Sequence, residues 1–180
     1  MNPANVVTSV RLFFLPVFIY LIWSYHSGSE HLRVLAFWVA VVSFLSDALD
    51  GFLARRKGWK TKFGTFLDPF CDKLLLDLGF LILILKPEFK NVLSLPLWVA
   101  AIVIFRDLLL GAGTFILYIK GNLEIRPSYL GKSAVVLQMF SILSALLYMP
   151  FTSLIWMIAG FMTALATIGY LIREIPHFLS

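Results

Sequence analysis

The chain has 180 residues, of which 60% are hydrophobic, 16% aromatic and only 14% charged, and its mean hydropathy is +0.89. Soluble domains carry about 25% charged and about 45–50% apolar residues, so this composition excludes a soluble globular domain, a disordered chain and a disulfide scaffold. The single cysteine, Cys71, cannot form an internal disulfide, and no cysteine–histidine cluster indicates zinc. The formal net charge of +5 is small. We expect one integral membrane domain over residues 1–180.

Six apolar runs predict an all-α protein with six transmembrane helices, because a helix needs about 20 residues to cross a bilayer. The runs cover Val7–Tyr25, Val34–Leu53, Leu67–Leu85, Leu95–Ile119, Ser133–Met149 and Phe151–Ile172. The connections between them are short. Pro87 ends the third run because proline cannot continue a helix, Gly121-Asn122 ends the fourth, and Met149-Pro150 separates the last two.

The basic residues predict the orientation of these spans, since lysine and arginine concentrate on the cytoplasmic side of a membrane. Eleven fall on one side: Arg11, Arg55, Arg56, Lys57, Lys60, Lys62, Lys73, Lys120, Arg126, Lys132 and Arg173. Three fall on the other: Arg33, Lys86 and Lys90. The pattern predicts a multi-pass protein of the cytoplasmic membrane with both termini in the cytoplasm.

Acidic residues are concentrated at one place in the chain. Four of the six aspartates lie between positions 47 and 72, at the predicted cytoplasmic ends of the second and third spans. Asp47 and Asp50 are three residues apart and Asp68 and Asp72 four, so each pair shares one face of its helix. An antiparallel helix pair joined by the 56–63 loop would bring the two faces together.

Four such carboxylates favour a metal site. Burying an aspartate in a membrane costs about 3 kcal/mol on insertion scales, and like charges repel. Carboxylate oxygens suit Mg²⁺, Mn²⁺ or Ca²⁺ rather than zinc, and four can hold two ions, an arrangement that suits phosphoryl transfer. The alternative is a solvated cluster paired with nearby basic residues such as Arg55 and Lys73. Gly51 and Gly64 indicate either close helix packing or room for a nucleotide.

The motif Asp47-x2-Asp50-Gly51-x2-Ala54-Arg55-x8-Gly64-x3-Asp68-x3-Asp72 resembles that of the CDP-alcohol phosphotransferases at every fixed position. The resemblance implies a six-helix membrane enzyme, usually a homodimer, with its active site at the cytoplasmic end of the helices. Such an enzyme transfers a substituted phosphoryl group from a CDP-linked donor to an alcohol and releases CMP. No nucleic-acid partner is expected.

The resemblance also implies roles for individual residues. Two divalent cations, Mg²⁺ or Mn²⁺, would be bound by Asp47, Asp50, Asp68 and Asp72. Asp72 would also be the catalytic base that takes the proton of the acceptor hydroxyl. Residues predicted to bind the donor are Asn5, Thr8, Gly51, Arg55, Thr61 and Gly64. Asn5 and Thr8 have an alternative role as caps of the first helix.

Other segments are similar to the phosphatidylglycerophosphate synthases within this family. They are Asn2-Pro3-Ala4-Asn5-x2-Thr8-x2-Arg11, Asp50-Gly51-Phe52-Leu53-Ala54-Arg55-Arg56, Leu67-Asp68-Pro69 followed by Asp72-Lys73, and Ser128-x2-Gly131-Lys132-x5-Gln138. This similarity implies CDP-diacylglycerol as the donor, with its acyl chains in the bilayer, and sn-glycerol 3-phosphate as the acceptor. The product would be phosphatidylglycerophosphate.

The dianionic acceptor requires a cationic pocket, for which Arg106, Lys132 and Arg126 are the candidates. Arg106 lies within an apolar run, where an unpaired charge is costly, and its alternative role is an ion pair with Asp107. Lys132 has an alternative role as a headgroup anchor.

Two other functions remain open. The Arg106-Asp107 pair also resembles cardiolipin synthases of the same superfamily, whose acceptor is phosphatidylglycerol. A metal-binding transporter is the remaining alternative, although transporter sites lie near the membrane midplane rather than at helix ends.

Overall fold

The protein is described from a computed structural model, which describes the backbone of residues 3–57, 62–119 and 129–179. Side chains are described for residues 13–46, 73–113 and 129–172. The predicted turn at Gly121-Asn122 lies outside the described residues.

Every regular element in these ranges is a helix, which confirms the all-α prediction for the described chain. The helices are α1 (Pro3–Ser24), α2 (Glu30–Lys57), α3 (Lys62–Leu85), α4 (Pro87–Leu93), α5 (Leu97–Ile119), α6 (Tyr129–Leu146) and α7 (Thr152–Leu179). Six of them correspond one to one with the six predicted spans. Helix α2 begins at Glu30, before the predicted Val34, and α2 and α3 extend into the predicted 56–63 loop.

The short helix α4 was not predicted. Pro87 ends α3 as expected, but it also occupies the first turn of a new helix, where its missing N–H costs nothing. Ser94 then ends α4 in the left-handed conformation at φ 49° and donates its N–H to the carbonyl of Lys90. The axes of α4 and α5 differ by 117°.

The helices pack around an apolar core. Helix α1 lies against α2 and α3, α5 against α3 and α7, and α6 against α2, α3 and α7. Phe18, Phe80 and Trp156 are fully buried within this core. Close approach is required at Gly160, where an added Cβ would lie 2.7 Å from the Trp98 ring.

The described surface is that of a membrane protein. Large apolar side chains are exposed on several helices, including Trp38, Phe105, Phe161 and Ile172, which is a cost in water but not in lipid. Within the described residues, Tyr129–Leu146 and Thr152–Ile172 are long and apolar enough to cross a bilayer. The bent pair α4 and α5 adds a third such segment if the two are counted as one.

A set of hydrogen-bonded polar residues, here called the loop-end network, joins the α1–α2 connection to α4 and to the α6–α7 turn. Its members are Tyr25, Glu30, Arg33, Lys86 and Tyr148. The Tyr25 hydroxyl donates to Glu30 (2.9 Å) and accepts from Tyr148 (3.1 Å), and the Lys86 ammonium donates to the Tyr25 carbonyl (2.8 Å). Arg33 donates to Glu30 at 2.8 Å. This bond, and after it the one from Tyr25, lower the pKa of Glu30.

Candidate active site

The two aspartate pairs lie on helices, as predicted. Asp47 and Asp50 belong to α2, and Asp68 and Asp72 belong to α3. Because both segments are helical, each pair shares a face of its own helix. The side chains of all four lie outside the described residues, so convergence of the two pairs remains a prediction.

The other predicted donor-binding residues are placed by the backbone alone or not at all. Asn5 and Thr8 lie on α1, Gly51 and Arg55 on α2, and Gly64 near the start of α3. Their side chains lie outside the described residues, as do Thr61 and Arg126 entirely.

Charged side chains meet between α3 and α5, at a point on α3 that directly follows the predicted metal ligand Asp72 in sequence. Lys73, which directly follows Asp72, donates to Oδ1 of Asp107 at 2.9 Å. Arg106 donates to the same oxygen at 3.2 Å. The Asp107 side chain is 2% exposed and that of Arg106 is 6% exposed. The ion pair between Arg106 and its neighbour is therefore present, and a role for Arg106 in binding the acceptor remains a prediction.

Asp77 completes this group of charges, which we call the α3–α5 ion cluster: Lys73, Asp77, Arg106 and Asp107. Asp77 interacts electrostatically with the other three residues. Oδ1 of Asp77 and Oδ2 of Asp107 are buried and receive no hydrogen bond from an amide, hydroxyl or basic group among the described residues, and the two carboxyl groups interact with each other. The cluster combines two acids with two bases, and each base lies close to an acid, which reduces the cost of burying them in an apolar bundle.

The sequence analysis missed Asp77 and the contact between Lys73 and Asp107. Asp77 interrupts an apolar run of α3, and an ionisable residue in such a run is itself a sign of a functional site. The partner of Lys73 comes from another helix, and no local spacing identifies it.

Lys132 lies in the first turns of α6 and is exposed. Its ammonium is 5.8 Å from the centre of the Tyr129 ring, within the range of a cation–π contact. Both its predicted role in binding the acceptor and its alternative role as a headgroup anchor require an exposed ammonium.

The family model for CDP-alcohol phosphatidyltransferase matches residues 1–168. The chain belongs to the CDP-alcohol phosphatidyltransferase family. This membership confirms the family predicted from the aspartate motif.

Three relatives of this chain carry names that refer to one reaction within this family. The chain is 35% identical to a probable phosphatidylglycerophosphate synthase of Mycobacterium tuberculosis over 59% of this chain and 48% of that protein. It is 38% identical to a CDP-diacylglycerol–glycerol-3-phosphate 3-phosphatidyltransferase of Pseudomonas fluorescens over 62% of this chain and 54% of that protein. The aligned part of the chain thus spans about half the length of these two relatives. A protein of Rickettsia typhi with the same name as the Pseudomonas protein is 31% identical over 94% of each chain.

The residues fit the divalent cations that the resemblance implies. The aspartates on α2 and α3 supply four carboxylates, the oxygen donors preferred by Mg²⁺ and Mn²⁺. Among the side chains that the structure describes, no group of three or more His, Cys, Asp or Glu residues could hold a metal ion. The four aspartates lie outside that set, so they remain the predicted ligands.

Proposed function

We propose that this protein transfers the phosphatidyl group from CDP-diacylglycerol to sn-glycerol 3-phosphate, yielding phosphatidylglycerophosphate and CMP. The observation that carries the proposal is the family match over residues 1–168, which includes all four aspartates on two successive helices. The names of the relatives support the donor and the acceptor.

In the proposed reaction, the acceptor hydroxyl attacks the β-phosphorus of the donor directly. A new phosphorus–oxygen bond forms to glycerol 3-phosphate as the bond from the β-phosphorus to CMP breaks. The electron pair of the broken bond leaves with CMP. Asp72 takes the proton of the attacking hydroxyl, and no covalent enzyme intermediate forms.

Charged residues would hold the two substrates in line. Asp47, Asp50, Asp68 and Asp72 would hold two divalent cations, Mg²⁺ or Mn²⁺, which when bound neutralise diphosphate and leaving-group charge. Arg55 would bind the donor diphosphate as a charged fork. On the acceptor side, Arg106, Lys132 and Arg126 would bind the phosphate of glycerol 3-phosphate.

The membrane placement belongs to the same proposal. All six long helices would span the cytoplasmic membrane, with the aspartates and both termini at the cytoplasmic face, and the protein would act as a homodimer. A soluble acceptor and a lipid donor can meet only near the membrane surface, and the eleven basic residues predicted on that side support this orientation.

Phosphatidylglycerol is the second candidate acceptor, because Arg106-Asp107 also resembles cardiolipin synthases. An acceptor screen separates the two. Purified protein is incubated with CDP-diacylglycerol and Mg²⁺ or Mn²⁺, and CMP release is measured with glycerol 3-phosphate, phosphatidylglycerol, serine or inositol phosphate. CMP release only with glycerol 3-phosphate supports the proposal. Release only with phosphatidylglycerol identifies a cardiolipin synthase, and metal binding without CMP release favours a transporter.

A further inference from the structure

The α3–α5 ion cluster joins the two parts of the proposed site. Lys73 directly follows Asp72, the predicted base, whereas Arg106 is a predicted acceptor-binding residue on α5. Both donate to one oxygen, Oδ1 of Asp107, at 2.9 Å and 3.2 Å. A single buried carboxylate therefore holds both cations of the cluster.

We infer that Asp107 is a positioning residue for the metal site, which keeps the ammonium of Lys73 and the guanidinium of Arg106 from occupying the carboxylates that bind the divalent cations. The inference rests on the proposed function in taking the four aspartates as the metal ligands. Asp107 itself binds neither the metal nor the substrate.

Competition between these cations and the metal follows from their charge and position. The Lys73 side chain is 25% exposed and its ammonium lies 2.9 Å from Asp107, so loss of that carboxylate leaves a partly buried charge that favours another carboxylate. Without the charge of Asp107, the carboxylates left for Lys73 are that of Asp77, four residues on along the same face of α3, and those of the predicted metal site, which begins at the neighbouring Asp72. An ammonium on Asp72 would occupy an oxygen that the metal needs and would repel the metal ion.

The use of charged rather than neutral groups separates this role from simple helix adhesion. Both cations share Oδ1 of Asp107, and Asp107 also interacts with the Asp77 carboxyl group. Neutral groups already join helices elsewhere in the bundle. Gln138 on α6 donates to Thr163 on α7 at 2.9 Å, and a neutral contact of this kind avoids the desolvation cost of ions.

Binding of Mn²⁺ to the full-length purified protein tests the inference without turnover. Free Mn²⁺ is measured by electron paramagnetic resonance in a titration of each variant, with circular dichroism to establish that the variant is folded. Asp107→Asn should weaken Mn²⁺ binding by about tenfold or more, as loss of a residue that orients metal ligands does. Asp107→Glu keeps a carboxylate and should bind Mn²⁺ much more tightly than Asp107→Asn.

The double variant Lys73→Gln/Asp107→Asn gives the sharpest comparison. Removing the released ammonium should restore most of the Mn²⁺ affinity that Asp107→Asn loses, whereas a merely structural ion pair would show no such recovery. Glu30→Gln is the matched control, because it also removes a carboxylate from an ion pair but lies about 26 Å from Asp47 along α2 at 1.5 Å per residue. It should leave Mn²⁺ binding unchanged.

Unchanged Mn²⁺ affinity in folded Asp107→Asn, or no recovery in the double variant, would overturn the inference. If Asp107→Asn does not fold, Lys73→Gln alone decides: it should bind Mn²⁺ at least as tightly as the wild type, and weaker binding would overturn the inference. A different result would contradict the proposed function. A wild type that binds Mn²⁺ but releases no CMP with any acceptor contradicts the reaction and leaves the inference intact.

Discussion

The α3–α5 ion cluster and the loop-end network are both polar, but they use their acceptors differently. In the loop-end network the Glu30 carboxylate receives one donor on each oxygen, from Tyr25 and from Arg33. In the ion cluster both cations donate to one oxygen of Asp107, and its other oxygen receives no donor among the described residues. The clusters are separated by about 20 Å along α3, from Lys73 to the end of the helix just before Lys86, at 1.5 Å per residue.

This difference indicates what each cluster does. The loop-end network holds the connections between helices in place, and Glu88, which pairs with Lys86 of this network at 3.9 Å, also has a buried Oε2 without a partner among the described residues. Buried acceptors without a donor are costly and occur in both regions, so the ion cluster is distinguished by its position on α3 directly after the predicted metal ligand Asp72. The comparison predicts that substitutions near the ion cluster change catalysis, whereas substitutions in the loop-end network change stability alone.

Asp72→Asn should produce the largest effect on the catalytic side of this comparison. The amide cannot accept the proton of the acceptor hydroxyl and is a poorer ligand for a divalent cation. We expect turnover to fall by at least about 100-fold, the lower end for general acid–base catalysis. CMP release measures turnover, and circular dichroism should show unchanged helix content.

Glu30→Gln makes a matching acid-to-amide change in the loop-end network and is the control. It should leave turnover unaltered. Near-normal activity of Asp72→Asn would remove the role of Asp72 as the base, and equal losses in both variants would erase the distinction between the two clusters.

Lys132→Ala tests whether the acceptor pocket extends to α6. Loss of a charge-assisted bond to phosphate should raise the apparent KM for glycerol 3-phosphate by about tenfold, or about 1.4 kcal/mol. The KM for CDP-diacylglycerol should change much less. The two constants are obtained by varying each substrate at saturating levels of the other, and Lys132→Arg should retain most of the affinity.

Equal changes in the two KM values would count against an acceptor pocket at Lys132. They would favour its alternative role as a headgroup anchor, because an anchor sets the depth of α6 in the membrane and its loss would affect the binding of both substrates alike.

The sequence predicted the parts of the fold that depend on local patterns. Runs of apolar residues identified six helices, and the spacing of Asp47, Asp50, Asp68 and Asp72 identified the family. Helix α4 was missed because Pro87 both ends α3 and begins α4. Proline is typical of both positions, so the sequence alone does not show that a second helix follows.

The ion cluster could be predicted only in part, because its contacts are tertiary. Burial of Arg106 and its pairing with Asp107 follow from an apolar run and from adjacency. The bond from Lys73 to Asp107 joins residues 34 positions apart on different helices, and only the packing of α3 on α5 creates it. Asp77 carried a readable signal, an acid within an apolar run, but it lies outside the family motif.

Tyr25→Phe should show the structural character of the loop-end network. It removes the donor to Glu30 and the acceptor for Tyr148, and should lower the free energy of unfolding by about 1 kcal/mol, the usual net value of a hydrogen bond. Thermal unfolding in detergent measures the change, and CMP release should be unaltered. Tyr20→Phe is the control, because Tyr20 is 69% exposed on α1, and it should leave the unfolding midpoint unchanged.

The smallest expected effect is the pH dependence of the Glu30 contacts. Because the hydrogen bonds from Arg33 and Tyr25 lower the pKa of Glu30 in the folded protein, its carboxylate stabilises the fold at pH values above its unfolded pKa. That stabilisation is lost as the pH falls through the lowered folded pKa. The wild type should therefore unfold at a higher temperature than Glu30→Gln at neutral pH, and the gap should close in acid. A difference in unfolding temperature that widens in acid would contradict the lowered pKa of Glu30. A loss of CMP release by Glu30→Gln at neutral pH would show that the loop-end network contributes to catalysis and not to stability alone.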